Sequence, residues 1–260
     1  MDLLTKALQV FKKEGVVSLI KKSAIYILWQ IVNVPLIGYI RITLCKHKIK
    51  KFLGKIHGLD DALHFTFSFK FLGIHIKPAQ VKDEIKELSC QLQKRRLETI
   101  LEIGTENGGT LFLFSHTASP NATLISIDLP GGPFGGGYPR WKIPLYKSFA
   151  KKSQRLYLIR ADSHDPKTLA EVKAILGDKK LDFLFIDGDH TFEGIKMDFE
   201  MYSPLVRRRG PIAFYDIVEH PPETVCEVSR FWNEIKHNYK YTEIVKDWNQ
   251  KWAGIGVLYV

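Results

Sequence analysis

From about residue 88 to the C terminus, short apolar runs bounded by turn residues alternate with stretches whose pattern is helical. The runs are TILEIG (99–104), TLISIDL (123–129), LYLIRAD (156–162), LDFLFIDGD (181–189), GPIAFYD (210–216), YTEIVKD (241–247) and WAGIGVLYV (252–260). Strands that are apolar throughout, rather than alternately apolar and polar, are covered on both faces, as in a parallel sheet packed between helices. The first five runs therefore predict a doubly wound α/β domain. The last two are joined by WNQK and its neighbours, too few residues for a crossover helix, so they predict an antiparallel hairpin at one edge. The expectation is a mostly parallel seven-stranded sheet over residues 89–260, with residues 1–88 forming a basic helical N-terminal extension.

That extension has its own pattern. Leu4, Ala7, Leu8, Phe11, Val16, Leu19 and Ile20 recur at three- and four-residue spacing with lysines between them, which predicts an amphipathic helix. Residues 23–40, SAIYILWQIVNVPLIGYI, carry no charge, but Gln30, Asn33 and Pro35 interrupt them and basic residues flank both ends, so a span with a defined orientation is not indicated. A cleavable signal peptide does not fit either, because no small-residue cleavage site follows the apolar part. Two readings remain: a helix pair lying on an anionic membrane surface, with Tyr26 and Trp29 at the boundary, or a helical cap packed on the main domain.

Charge sharpens this division. The chain has 260 residues and a formal charge of +10, and residues 1–57 hold eleven Lys and Arg against Asp2 and Glu14. Nearly all the excess is N-terminal, so it does not mark the α/β part as a nucleic-acid binder and no nucleic-acid partner is expected. The 45% hydrophobic and 25% charged composition is that of an ordinary globular protein. Cys45, Cys90 and Cys226 form neither a CxxC nor a Cys/His spacing, which argues against a disulfide framework or structural zinc and for a reducing, cytoplasmic setting, each thiol serving as apolar filler.

In an open α/β sheet, ligands lie beyond the carboxyl ends of the strands. Those ends carry Glu102 and Gly104, Asp128, Asp162, Asp187 to His190, and Asp216. The first continues as LEIGTENGGT (101–110), where Gly104 permits a tight turn and Gly108 and Gly109 open the next helix. The pattern is not G-x-G-x-x-G, so the dinucleotide fingerprint is missing its central glycine, and Glu102 would sit badly beside phosphates. Asp128, 24 residues after Gly104, is placed to accept both hydroxyls of a ribose, and Asp162 the exocyclic amine of an adenine. Ribose, adenine and a charged amino-acid tail without phosphate describe S-adenosylmethionine.

The segments EIGTENGG, SIDLPGG, RADSHD, LDFLFIDGDHTFEGIKMDFEMYSPLV and GPIAFYDI resemble the class I S-adenosylmethionine-dependent methyltransferases over residues of about 98 to 260. The subgroup is that of macrolide-sugar O-methyltransferases and cephalosporin-hydroxylase-like proteins. The resemblance implies that Glu102, Gly104 and Gly108 hold the methionine end of the cofactor, Asp128 the ribose, and Asp162 with Ser163 the adenine edge. It implies O-methylation of a small-molecule or glycan acceptor. The rival readings are a metal-dependent hydroxylase-like protein, for which the spacing gives no clear pair of histidines and a carboxylate, and a non-catalytic membrane-surface module that retains the fold.

Methyl transfer to a hydroxyl requires alignment and removal of a proton. Asp187 and Asp216 end neighbouring strands, and with Asp189 they form a candidate oxygen set for Mg²⁺. The resemblance implies that metal-dependent members of the fold place carboxylates at these two ends, but where catechol-type enzymes follow the second with Asn this chain has Ile217. His190 is the candidate base, with Asp187 facing the reacting methyl; His220 is a second histidine nearby. The loop LPGGPFGGGYPRW (129–141) resembles a lid over cofactor and acceptor. The oligomeric state is open, and a homo-oligomer is compatible with the sequence.

Overall fold

The structure, a computed structural model, describes Ser18, Lys21, residues 35–132 and residues 137–260. The amphipathic pattern over residues 3–20, the greater part of the uncharged run 23–40, and Phe134 of the glycine-rich loop lie outside the described residues.

Helices α1 (Pro35–Leu53) and α2 (Leu59–Ser68) lead to a small hairpin of β1 (Lys70–Phe71) and β2 (Ile74–His75), then α3 (Lys82–Gln93). The chain then alternates: β3 (Thr99–Ile103), α4 (Gly109–Thr117), β4 (Thr123–Ile127), α5 (Ile143–Lys147), β5 (Arg155–Ile159), α6 (Pro166–Leu176), β6 (Phe183–Ile186), α7 (Phe192–Tyr202) and β7 (Pro211–Tyr215). Helix α8 (Val228–Ile235) precedes β8 (Lys240–Ile244) and β9 (Ile255–Tyr259).

The main sheet has seven strands in the order β5-β4-β3-β6-β7-β9-β8. Strands β3 to β7 pair in parallel, and β9 is antiparallel to both β7 and β8. The expected hairpin closes one edge, with its second strand inserted beside β7 so that β8 is outermost. Because side chains alternate across a strand, Ile100, Leu124, Phe183, Phe185 and Ala213 join α1 to α5 on one face. Leu101, Ile103, Ile125, Leu184, Ile186 and Ile212 join α6 to α8 on the other. Both layers are buried, which is why the central runs are apolar throughout.

Helix α1 contributes to the first layer through Ile42, Cys45 and Ile49, all buried, and Gly38 lets it close against the ring of Trp141. Tyr39, Ile40 and Leu44 on the same helix are exposed. Among the described residues, no helix is long and apolar enough to cross a membrane.

The strand tips are stapled to one another. The Gly104 amide donates to Ile127 O at 2.9 Å, the Asp187 amide to Ile103 O at 2.9 Å and the Asp128 amide to Ile159 O at 3.0 Å. Gly104 has φ +95°, and a Cβ there would lie 1.9 Å from Asp187 O. Only glycine therefore allows β3 and β6 to end side by side.

Candidate active site

A cleft of about 370 Å³ lies over these tips. Its walls include Gly104, Glu106, Asp128, Asp162, Ser163, Asp187, Asp189, His190 and Asp216, so most of the residues singled out in the sequence converge on one opening. Two do not. Gly108, at φ +79°, caps α4 from behind, where a Cβ would press on the Tyr146 ring. Glu102 is fully buried beneath the cleft, accepting hydrogen bonds from Thr110 Oγ1 and, at 2.9 Å, from Ser126 Oγ. Its alternation in β3 is the reason, since it shares the face of Ile100, under α4, and points away from the strand end. Burial pushes its carboxyl up to about 8 against the pull of those two hydroxyls.

Asp128 does line the cleft. Its Oδ2 accepts from the Glu106 amide at 3.2 Å and the Tyr138 amide at 3.3 Å. Burial pushes the carboxyl up to about 6, with the amides opposing. Tyr138 is docked by the Arg160 guanidinium, 5.6 Å above its ring, and Arg160 Nε donates to Tyr138 O at 3.0 Å. The described end of the glycine-rich loop is thus fixed over the Asp128 side of the cleft.

Asp162 turns on itself, its Oδ1 accepting from the His164 amide at 2.9 Å. Beside it, Ser163 O accepts from the Tyr202 hydroxyl at 2.7 Å. His164 Nε2 is 3.1 Å from Gly194 O and 3.3 Å from Asp198 Oδ1. The Asp198 contact raises the imidazole pKa, and burial raises that of Asp198.

The acid and histidine cluster has a different shape from the one its spacing suggested. Asp189 Oδ1 accepts from the Thr191 amide at 2.9 Å, and Thr191 Oγ1 in turn caps α7 by accepting from the Gly194 amide at 3.1 Å. Asp189 is committed to the start of its own helix, so Asp187, Asp189 and Asp216 do not gather as a trio. Instead His190 bridges the two strand tips, with Nε2 3.3 Å from Asp187 Oδ1 and Nδ1 3.2 Å from Asp216 Oδ2. Burial alone would lower its pKa, but hydrogen bonds to Asp187 and Cys226 and the two carboxylate charges push it up to about 11. Asp187 is pushed up to about 6, by burial first, with His190 holding it down.

Several residues at the site carried no readable signal. Gln80, from the segment ahead of α3, donates Nε2 to Asp187 Oδ2 at 2.7 Å. Trp252 reaches the cleft from the β8–β9 connection, which is anchored by buried Glu84: its Oε1 accepts from the Lys246 amide at 3.0 Å and its Oε2 from the Gly254 amide at 2.9 Å. Asp198, by contrast, does carry a signal, an acid on the buried stripe of α7 four residues before Tyr202. Cys226, read as filler, lies against His190.

A protein-family model described as a methyltransferase domain matches residues 101–217, the segment that carries all of these strand tips. Over that segment, somewhat less than half of the chain, the sequence is similar to methyltransferase domains. The curated proteins contain no match to the chain. The O-methyltransferase from Bacillus cereus in complex with SAH superposes on this chain with a TM-score of 0.55 at 14% identity, over 82% of this chain and 97% of that one. The O-methyltransferase TomG from Streptomyces achromogenes, involved in tomaymycin synthesis and in complex with SAM, gives 0.50 at 18% identity, over 79% and 90%. At these identities the likeness is one of fold.

The burial of Glu102 predicts a pH-dependent stability. Folded, its carboxyl keeps a proton up to about 8, whereas the ordinary value is 4.5, so the folded state binds the extra proton between those values and stability falls as pH rises through that window. Glu102→Gln should therefore unfold at a temperature close to the wild type at pH 5 and several degrees above it at pH 9 in thermal scans; a larger gap at pH 5 than at pH 9 would contradict the assignment.

Proposed function

We propose that the chain is an S-adenosylmethionine-dependent methyltransferase that transfers the methyl group to a hydroxyl oxygen of a small-molecule or glycan acceptor. The observation that carries this reading is the Asp187–His190–Asp216 array at one end of the cleft, opposite the Asp128 and Asp162 side. An alcohol must lose a proton as its oxygen forms the new bond, and it needs a proton acceptor in contact. An amine of ordinary basicity reaches the site only after losing its proton, so it has less use for such an array.

The residues present fit S-adenosylmethionine. Asp128 offers a carboxylate for the ribose hydroxyls, the Asp162–Ser163 turn faces the adenine edge, and the bend at Gly104 leaves backbone where the amino-acid end would pass. The bound cofactor supplies an electrophilic methyl on a sulfonium. The chain supplies the rest. Asp187 is a carboxylate at neutral pH with Gln80 and His190 fixing its two oxygens, and the Asp187–His190 pair receives the acceptor proton, Asp187 being the member that enters unprotonated. Trp252 and His220 form the outer wall where the acceptor body would lie.

Two substitutions separate cofactor binding from chemistry. Asp128→Ala should weaken S-adenosylmethionine binding in calorimetric titration by about a hundredfold, the equivalent of one or two charge-assisted hydrogen bonds. Asp187→Asn should leave that affinity near the wild-type value and lower turnover by about 10²- to 10⁴-fold, the usual share of general-base catalysis. Wild-type protein that fails to bind the cofactor, or labelled methyl recovered on nitrogen or carbon across a panel of sugar and phenol acceptors, would overturn the proposal.

A membrane-facing role for the N-terminal segment is supported by the exposed Tyr39, Ile40 and Leu44, which share α1 with Lys46, Lys48, Lys50 and Lys51. Apolar contact plus attraction to anionic headgroups suits an interfacial helix. The protein should sediment with anionic vesicles at low salt and lose this on deletion of residues 1–50; sedimentation that survives the deletion would count against it.

A further inference from the structure

We propose that the inner end of the cleft is a zinc site formed by His190, Asp216 and Cys226. The proposal rests on reading this end as the methyl-accepting one, and it replaces magnesium with a softer ion. Among the described residues, this is the group of His, Cys and acidic side chains whose ligand atoms all lie within 4.8 Å of one another. The three come from separate elements: His190 from the tip of β6, Asp216 from the tip of β7, and Cys226 from the loop before α8.

The donor set decides the metal. Mg²⁺ demands near-octahedral oxygen coordination, and among the described residues the oxygens of Asp187, Asp189 and Asp216 do not gather as one ligand group. An imidazole nitrogen, a carboxylate oxygen and a thiolate sulfur are zinc ligands, and three protein ligands with one open position is the arrangement of catalytic rather than structural zinc. Bond lengths of about 2.0–2.3 Å at tetrahedral angles put ligand atoms roughly 3.3–3.8 Å apart. His190 Nδ1 and Asp216 Oδ2 are already 3.2 Å apart.

The surroundings have the supports such a site uses. The ring nitrogen of His190 that faces away from the ion contacts Asp187 Oδ1, the carboxylate partner that orients metal-bound imidazoles. Asp187 is itself held by Gln80, and Asp216, at φ +66°, by the Ala253 amide at 3.0 Å on Oδ1. Beside it, His220 Nε2 is buried and 3.3 Å from Asp216 Oδ1 without forming a hydrogen bond in line. His190, Asp216 and His220 all face the cleft, so the open position is directed to the acceptor. An alcohol oxygen bound there is acidified by the ion, and its proton passes to Asp187.

Chelator-stripped full-length protein titrated with Co²⁺ as an optical probe, then with Zn²⁺ in competition, tests this without any acceptor. The expected result is one equivalent of metal per chain, with a thiolate-to-cobalt charge-transfer band. Cys226→Ala should abolish the band and weaken Zn²⁺ binding by more than about a hundredfold, beyond the 10–100-fold typical of losing an outer-shell partner. Cys90→Ser should change neither. Absence of the band, unchanged affinity in Cys226→Ala, or displacement of Zn²⁺ by millimolar Mg²⁺ would overturn the zinc site. Methyl transfer to a hydroxyl that persists in the stripped protein would sink zinc alone, whereas zinc binding with methyl found only on nitrogen would sink the hydroxyl reading alone.

Discussion

Two carboxylates at the ends of adjacent parallel strands, Asp187 and Asp216, face the same small space, and removing both from bulk water with nothing between them would force one to take up a proton. His190 lies between them, one ring nitrogen on each. This imidazole fixes the ends of β6 and β7, aims Asp187 into the cleft and ties the loop of Cys226 to the sheet. The cost of the arrangement is met by the surrounding donors. Gln80 reaches in from ahead of α3 and the Ala253 amide from the β8–β9 connection, so residues far apart in the chain share one electrostatic problem.

The same economy governs the cofactor side. Gly104 has no side chain because β3 and β6 must end against one another, and this lets the chain turn while backbone remains exposed to a ligand. Glu102, one residue of alternation away, is kept neutral and serves the packing of α4 through Thr110 and Ser126, while Asp128 stays in the cleft with two backbone amides on one oxygen. A neutral acid below and an ionisable acid above leave the negative charge in the cleft rather than under α4.

The parallel part of the sheet was legible because β3, β4, β6 and β7 are buried along their whole length and so read as apolar runs, and because the five parallel runs reach an acid or glycine at their tips. Six of the eight residues named for cofactor and base reach the cleft for that reason. The direction of a side chain at a strand end was harder to read. The period of two places Glu102 under α4, although its position beside Gly104 had suggested a role in the cleft. Asp189 was drawn away by the capping of α7, a short-range preference that competes with metal ligation. Gln80, Trp252 and Cys226 arrive through tertiary packing of connections whose composition has no pattern, so nothing local marks them.

The account's central claim is that S-adenosylmethionine lies across the strand tips with its nucleoside on Asp128 and Asp162 and its methyl directed at Asp187 and His190. A crystal structure with S-adenosylhomocysteine tests this most directly. The predicted result is both ribose hydroxyls on the Asp128 carboxylate, adenine against Asp162 and Ser163, and the sulfur at the Asp187 end with open space towards Trp252 and His220. A nucleoside bound away from Asp128, or a sulfur facing away from Asp187, would contradict it.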